Sequence, residues 1–412
     1  MTDAASAKAT RNIVFLVIVA SLGYFVDIYD LLVFSIVRKA SLLDIGVKPA
    51  DVLGRGVFII NVQMFGLLLG GILWGVIGDK LGRIKVLFGS ILLYSLANFA
   101  NAYVLDVNTY ALVRFIAGIG LAGELGAGIT LVTETLSKEK RGYGTMIVSA
   151  IGLFGAAVAV MVAKHGWQTA YKVGGGLGMV LLLLRLGTFE SGMFKNIEQA
   201  EHVTKGDFFM LFNNWARFKK YLYCILIGAP LWFVVGVLVT LSPEFGGPKA
   251  LAAKEPLNAG IGILYTYIGI AVGGIASGLL SQVTRSRKLS MLVFLLLSVV
   301  SVIVYLSTKG MSSRQFIWIC FFMGCSVGYW TIFVTIAAEQ FGTNIRSTVA
   351  TTVPNFVRGS LIPVNLAFTA LAAHYGMITS AYIMMAILTL LALFSLSQLK
   401  ESFHKDLDYV EV

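Results

Sequence analysis

The chain has 412 residues, of which 57% are apolar and 13% charged, and its mean hydropathy is +0.83, whereas soluble domains carry about 25% charged residues. A soluble globular protein is thereby excluded, and 44 glycines with only 7 prolines exclude a collagenous or disordered chain. The formal charge of +11 lies in short clusters between long apolar runs instead of along one exposed stripe, which points to membrane loops and away from nucleic acid.

A spanning helix needs about 20 mostly apolar residues. Cutting the chain at its charge clusters gives twelve such runs: 12–37, 57–77, 86–105, 109–134, 143–164, 168–188, 220–242, 259–281, 289–308, 315–339, 347–370 and 378–398. The first follows Lys8 and Arg11; it is too long for the core of a cleaved signal, no small-residue cleavage site follows it, and it reads as a retained span. Cys224, Cys320 and Cys325 all fall inside apolar runs, where a thiol acts as a small hydrophobe, and their spacing suits neither a metal nor a disulfide framework. The one long polar interval, 189–219, divides the spans six and six. The expected fold is therefore all-α, with a six-helix bundle over 1–188, a cytoplasmic linker over 189–219, and a second bundle over 220–412 ending in a short tail. Of the 32 Lys and Arg, 20 fall on the loops and adjoining span ends that share a side with both ends and 10 on the opposite loops and span ends, with Arg114 and Arg358 left deeper inside spans. Cytoplasmic loops are enriched in these residues, so both ends are expected in the cytoplasm.

The halves repeat. Glu134 is followed seven residues later by Arg141, and Glu339 likewise by Arg346, at an offset of 205. Gly75 through Lys85 matches a worn copy at Gly278 through Lys288, at an offset of 203. Two nearly equal offsets imply duplicated bundles, an arrangement that places a substrate site at the midplane between repeats.

Gly75 through Lys85 resembles the signature loop of the major facilitator superfamily, G-x-x-x-D-[RK]-x-G-R-[RK], with Asp79, Gly82 and Arg83 in place and Lys85 supplying the basic end. The resemblance covers essentially the whole chain, and it implies the twelve-helix fold of that superfamily and a gating role for Gly75, Asp79, Gly82 and Arg83. Asp79 would pair with a basic residue or a helix end of the other half while the outward-facing state lasts. Glu134 with Arg141-Gly142 is similar to the E-x(6)-R-G element of the sugar-porter and metabolite-proton symporter branches, and Glu339 with Arg346 is its repeat; these acids and guanidinia are expected to complete an inner charge network. Phe25-Val-Asp27-Ile-Tyr29-Asp30 resembles the F-[ED]-W-Y-D-F stretch of the metabolite-proton symporters, with isoleucine in place of tryptophan. The Gly-Pro pair typical of drug-proton antiporters is missing from Gly152-Leu-Phe-Gly155 in span 5, which counts against drug efflux.

An ionised group at the centre of a spanning helix costs about 3 kcal/mol on insertion scales, so it persists where it faces a cavity or a partner. Asp27, Asp30, Arg114, Glu124 and Arg358 are such groups. At about 1.5 Å per residue, Asp27, Glu124 and Arg358 all fall near mid-depth. Asp27 and Asp30 share a helix face, and Arg114 sits at a depth that lets it neutralise Asp30. Asp27 or Glu124 is then expected to carry a coupling proton, and Arg358, with its planar fork, to bind an anionic group of the substrate. The plainer alternative is that the five charges only neutralise one another and hold the bundle together. Further cavity candidates are Tyr24, Asn61, Gln63, Trp232, Tyr265, Tyr329, Trp330, Asn355 and Asn365, with Tyr329 at the repeat position of Glu124. Pro354 and Pro363 are expected to kink span 11 beside Arg358. Gly174-Gly175-Gly176-Leu-Gly178 suits close helix packing, and His165 and His374 sit at equivalent outer helix ends.

A membrane enzyme would need a pair such as H-E-x-x-H or G-x-G-D, and neither occurs. No P-loop is present for an ATP-driven pump. A receptor that kept the fold and lost transport would leave the buried charges uncoupled. The reading adopted is a monomeric secondary transporter of the bacterial cytoplasmic membrane, without cofactor, metal or nucleic-acid partner. It would symport protons with a small anionic or zwitterionic metabolite, an organic acid or an amino acid. Efflux of a cationic or amphipathic compound is the second reading, because acids outnumber bases three to two among the presumed cavity charges.

Overall fold

The computed structural model describes residues 3–137, 141–187, 206–403 and 409–411, with no side-chain description before residue 13 or at 141, 142, 149 and 187. The interval expected as a linker lies mostly outside these residues. Among the described residues twelve long helical elements run in order: α1 Asp3–Asp44, α2 Val52–Leu81, α3 Arg83–Asn101, α4 Val107–Thr135, α5 Tyr143–Ala163, α6 Trp167–Leu184, α7 Trp215–Val239, α8 Ala259–Thr284, α9 Arg287–Ser307, α10 Ser313–Glu339, α11 Arg346–Tyr375 and α12 Met377–Gln398. Eleven are long and apolar enough to cross a membrane. The remaining one, α6, has 18 residues and opens on the polar turn Gln168, Thr169 and Lys172. Helix α7 begins five residues before the expected edge because Asn214 caps it, its side chain accepting from the amides of Ala216 and Arg217. The side chain of Asp106 caps α4 and that of Ser286 caps α9, while Ser312 and Gln315 form a capping box on α10.

Glycine sets the closest helix contacts. A Cβ at Gly66 or Gly70 would meet the α4 backbone at Phe115 and Ile119, and one at Gly269 or Gly273 would meet the α10 backbone at Phe321 and Cys325. The pairs α2 with α4 and α8 with α10 are thus the same contact in the two halves, built on small residues as lipid-immersed helices require. Gly71, Gly75 and Gly78 then bring α2 against Asn355, Thr348 and Ser347 of α11, which joins one half to the other.

Four elements are irregular. Helix α5 is interrupted at Phe154, where Gly155 packs on the α1 backbone. Helix α10 is broken between Ser326 and Trp330, and α11 between Gly359 and Leu361, with Pro354 and Pro363 on either side. Within α7, Val234–Val239 widens to a π-turn, a feature that clusters at functional sites. All four breaks lie within a few residues of a residue that lines one small cavity: Leu153 in α5, Trp232 in α7, Trp330 in α10 and Arg358 in α11.

Candidate functional site

The centre is a small cage between the halves. Tyr24 and Ile28 of α1 and Leu153 of α5 face Trp232 of α7, Tyr267 of α8, Trp330 of α10 and Arg358 of α11. The space they enclose is about 10 Å³, near the lower limit for a single water molecule. Trp232 also walls a second space of about 20 Å³ lined by Leu31, Ile60, Met64 and Leu361. The guanidinium of Arg358 lies 5.7 Å from the ring centre of Trp330 and 5.9 Å from that of Trp232, within cation–π range. One of its nitrogens is 3.3 Å from Asp27 Oδ2, and another donates to Asn355 Oδ1 at 3.3 Å. Asp27, Asn355 and Arg358 are all buried. The two charges belong to opposite halves, so their pairing closes the cage, and parting them would leave two desolvated ions.

The other expected charges are arranged differently. Glu124 does not face the cage. It is gripped by both terminal nitrogens of Arg185 at the end of α6, as a buried bidentate pair inside the N-terminal half, and Gly23 of α1 leaves the room for it, since a Cβ there would strike both side chains. Glu124, the other acid expected as a proton carrier, is thus paired within its own half and does not line the cage. Arg114 donates to the backbone carbonyl of Asp30 at 3.4 Å and to Asn98 Oδ1 at 2.6 Å, and its guanidinium lies 4.8 Å from the ring centre of Tyr171. Arg114 thus lies beside Asp30, as expected of a neutralising charge, without a hydrogen bond to its carboxylate, whose two oxygens have no hydrogen-bond partner among the described residues.

Of the polar and aromatic candidates, Tyr24, Trp232, Trp330 and Asn355 surround Arg358. Asn61 and Asn365 bond each other across the halves at 3.2 Å, away from the cage, and Gln63 reaches the carbonyl of Leu31 at 3.5 Å. Tyr265 is half-buried and off the cage. Its neighbour Tyr267 takes that place because the buried stripe of α8 runs Ile263, Thr266, Tyr267, Ile270, a helical phase the spacing already contains. Tyr329 is buried at the break in α10 and does not line the cavity.

On the face where α2 ends and α11 begins, four of the gating candidates, Asp79, Arg83, Glu134 and Arg346, form one cluster. Arg83 donates to Glu134 at 2.9 Å and lies 3.4 Å from Asp79. Asp79 accepts the amides of Ser347 and Thr348 at 3.1 and 2.7 Å, which places a carboxylate on the N-terminus of α11 from the other half. Arg346 reaches Glu134 at 3.5 Å, again across the halves. Gly75 lets α2 touch Thr348, and Gly82 turns the chain at a φ of 103° that suits glycine. In the second half Glu339 pairs with Arg287 at 3.2 Å and accepts from Ser402 at 2.8 Å. The side chain of Arg141 lies outside the described residues. On the opposite face, Arg38 of α1 meets Glu244, just beyond α7, at 3.5 Å, an inter-half contact absent from the sequence reading.

Two pseudo-symmetric helical bundles meeting on a buried, charge-paired cage, and closed on both faces, are the architecture of a multi-pass membrane transporter. Residues 13–361 match the Major Facilitator Superfamily, and the chain belongs to that family. It is 27% identical over 319 residues, 69% of each chain, to the inner membrane metabolite transport protein YgcS of Escherichia coli. It is 29% identical over 162 residues to the niacin transporter NiaP of Acinetobacter baylyi, a match spanning 38% of this chain and 36% of that one. The chain thus spans less than half the length of that niacin transporter. Its backbone superposes on the proton:xylose symporter XylE with a TM-score of 0.74 and 16% identity, covering 97% of this chain and 98% of that one, a likeness that shows the fold.

Proposed function

We propose that the protein is a proton-coupled symporter that takes up a small organic anion or zwitterion across the bacterial cytoplasmic membrane, with both ends inside. The observation that carries this reading is the Asp27–Arg358 pair at 3.3 Å between the halves. An incoming carboxylate offers Arg358 an acceptor to replace the single Asp27 oxygen it now meets, and Asp27, stripped of its cation in a dry site, is stable only once it holds a proton. Substrate and proton then enter together, and the site can reset only after both have left. Trp232, Trp330, Tyr24 and Tyr267 add flat apolar walls around one cation, which favours an organic acid over a cationic cargo. Niacin, named for the Acinetobacter relative, is a ring carboxylate of that description. The pair itself counts against efflux of cations, since the cage presents an arginine and neutralises its nearest acid.

The test is substrate-dependent proton uptake into vesicles across a panel of carboxylates, amino acids and cations. Uptake of a carboxylate with concurrent loss of external protons supports the reading. Transport that is indifferent to the pH gradient would overturn the coupling, and transport confined to cations would overturn the substrate class.

A further inference from the structure

The face where α2 ends and α11 begins holds a second polar recess, apart from the gate. Between α7, α10 and α12 lies a groove of about 530 Å³ lined by Arg217, Lys219, Lys220, Tyr223, Lys400 and Glu411, among others. Four cations face one acid. That acid already sits as a bound anion would: Glu411 Oε1 is 3.0 Å from Lys220 Nζ, and Oε2 is 3.5 Å from Arg217 Nε. Lys219 and Lys400 are exposed, and neither forms an ion pair among the described residues.

The surroundings say what kind of anion fits. Trp215 is 67% exposed at the start of α7, with Lys219 Nζ 5.2 Å from its ring centre. Tyr223 packs edge-on against Phe394 of α12, which is itself 57% exposed. In a membrane-spanning bundle, exposed aromatic rings at a helix end mark the boundary between headgroups and acyl chains. The groove lies beside these rings at the helix ends, with Lys219, Lys220 and Lys400 next to Tyr223 and Leu399. Basic recesses between spanning helices at this level suit phosphate-bearing headgroups.

We propose that this groove binds the headgroup of an anionic phospholipid, and that the Glu411 carboxylate is its built-in competitor. A phosphodiester brings one negative charge and two acceptor oxygens for the Lys219, Lys220 and Lys400 ammonium groups, while its chains lie along Tyr223 and Phe394. Its arrival displaces Glu411. The displacement reaches the gate through the backbone: Tyr409 O accepts from Thr343 N at 2.8 Å, and Asn344 bonds the Glu411 main chain at 2.9 and 3.1 Å. The same loop offers Thr343 O to Arg83 at 3.5 Å and Asn344 O to Gly206 N at 3.0 Å.

Native mass spectrometry of the purified full-length protein with phosphatidylglycerol or phosphatidylcholine tests this directly. Phosphatidylglycerol is expected to be retained and phosphatidylcholine lost. Removing each exposed lysine, in Lys219→Gln and Lys219→Gln/Lys400→Gln, should weaken retention about fivefold per charge, and Glu411→Gln should strengthen it. Equal retention of the two lipids, or an unchanged double-lysine variant, overturns the site. An unaltered or weaker affinity in Glu411→Gln overturns the competition. Displacement of the lipid by millimolar inorganic phosphate would make this a soluble-anion site and overturn the lipid assignment. Both lysines are exposed and form no ion pair among the described residues, so a monodisperse size-exclusion profile of the variants ties any loss of lipid to the groove.

Discussion

Asp27 and Arg358 are 331 residues apart in sequence and 3.3 Å apart in space, one from each half of the molecule. Because both are buried, removing either strands the other, and breaking a buried pair of this kind costs about 3–5 kcal/mol. Arg358→Gln and Asp27→Asn should each lower the thermal unfolding temperature of the purified protein, and the double variant should recover much of the loss, since it leaves no unpaired ion. Transport should be lost in Arg358→Gln by at least about a hundredfold, the equivalent of about 2.7 kcal/mol. A double variant no more stable than the worse single would show that the two charges are not energetically joined.

Asp79 holds the α11 N-terminus through two amides, those of Ser347 and Thr348. Asp79→Ala leaves both without their acceptor, at about 1–3 kcal/mol for such a loss, and only while the two halves are closed on this face. The variant should therefore favour the state open on this side. Amide hydrogen exchange over residues 346–352 should quicken by about five- to a hundredfold. Unchanged protection there would mean that the Asp79 carboxylate does not hold the halves together.

The frame of the molecule is legible because apolar runs of spanning length and an acid–arginine repeat are one-dimensional signals. Asp27 and Arg358 are legible for a related reason, since ions are expensive in hydrocarbon. Arg185 is hidden by its place at the end of an apolar run, where an arginine ordinarily reaches the headgroups. The signal that could have found it is Glu124, a mid-depth acid with no cation assigned in its own half. The motif offset of 203 aligns Arg83 with Ser286, whereas the structure equates Arg83 with Arg287, each bonded to the acid that ends its half's fourth span. That one-residue slip comes from the loop, whose length is set by the Gly82 turn in one half and the Ser286 cap in the other. The π-turn under Trp232 and the break at Gly359 depend on packing between halves, as where Leu361 fills the space a Cβ on Gly236 would need, and no local pattern encodes that.

Arg38 and Glu244 form a charged contact between halves on the opposite face, with side-chain exposures of 8% and 26%. A half-wet pair is worth about 0.2–1 kcal/mol, and salt screens it. A double-mutant cycle of Arg38→Ala and Glu244→Ala, read as the population of the state open on this face, should give a coupling of that size at low ionic strength and a smaller one at 0.5 M salt. Charge reversal at Arg38 alone should open this face, and adding the reciprocal reversal at Glu244 should close it again. Coupling that is absent at low salt would reduce the contact to chance proximity.

Glu401 ties the segment after α12 to the start of α9. Partial burial works against its charge, but hydrogen bonds from Ser286 Oγ and from the amides of Arg287, Phe403 and Lys288 outweigh it and hold the carboxyl below its ordinary range. A carboxyl depressed by folding stabilises the folded state above its unfolded value, and that contribution drains away as the pH falls through its folded value. Glu401→Gln keeps the shape and forfeits the charge, so the gap in unfolding temperature between wild type and variant should be widest near neutral pH and shrink toward zero in acid. A gap that stayed constant from neutral pH down through the carboxylate range would mean that the hydrogen bonds at the α9 cap act without the charge.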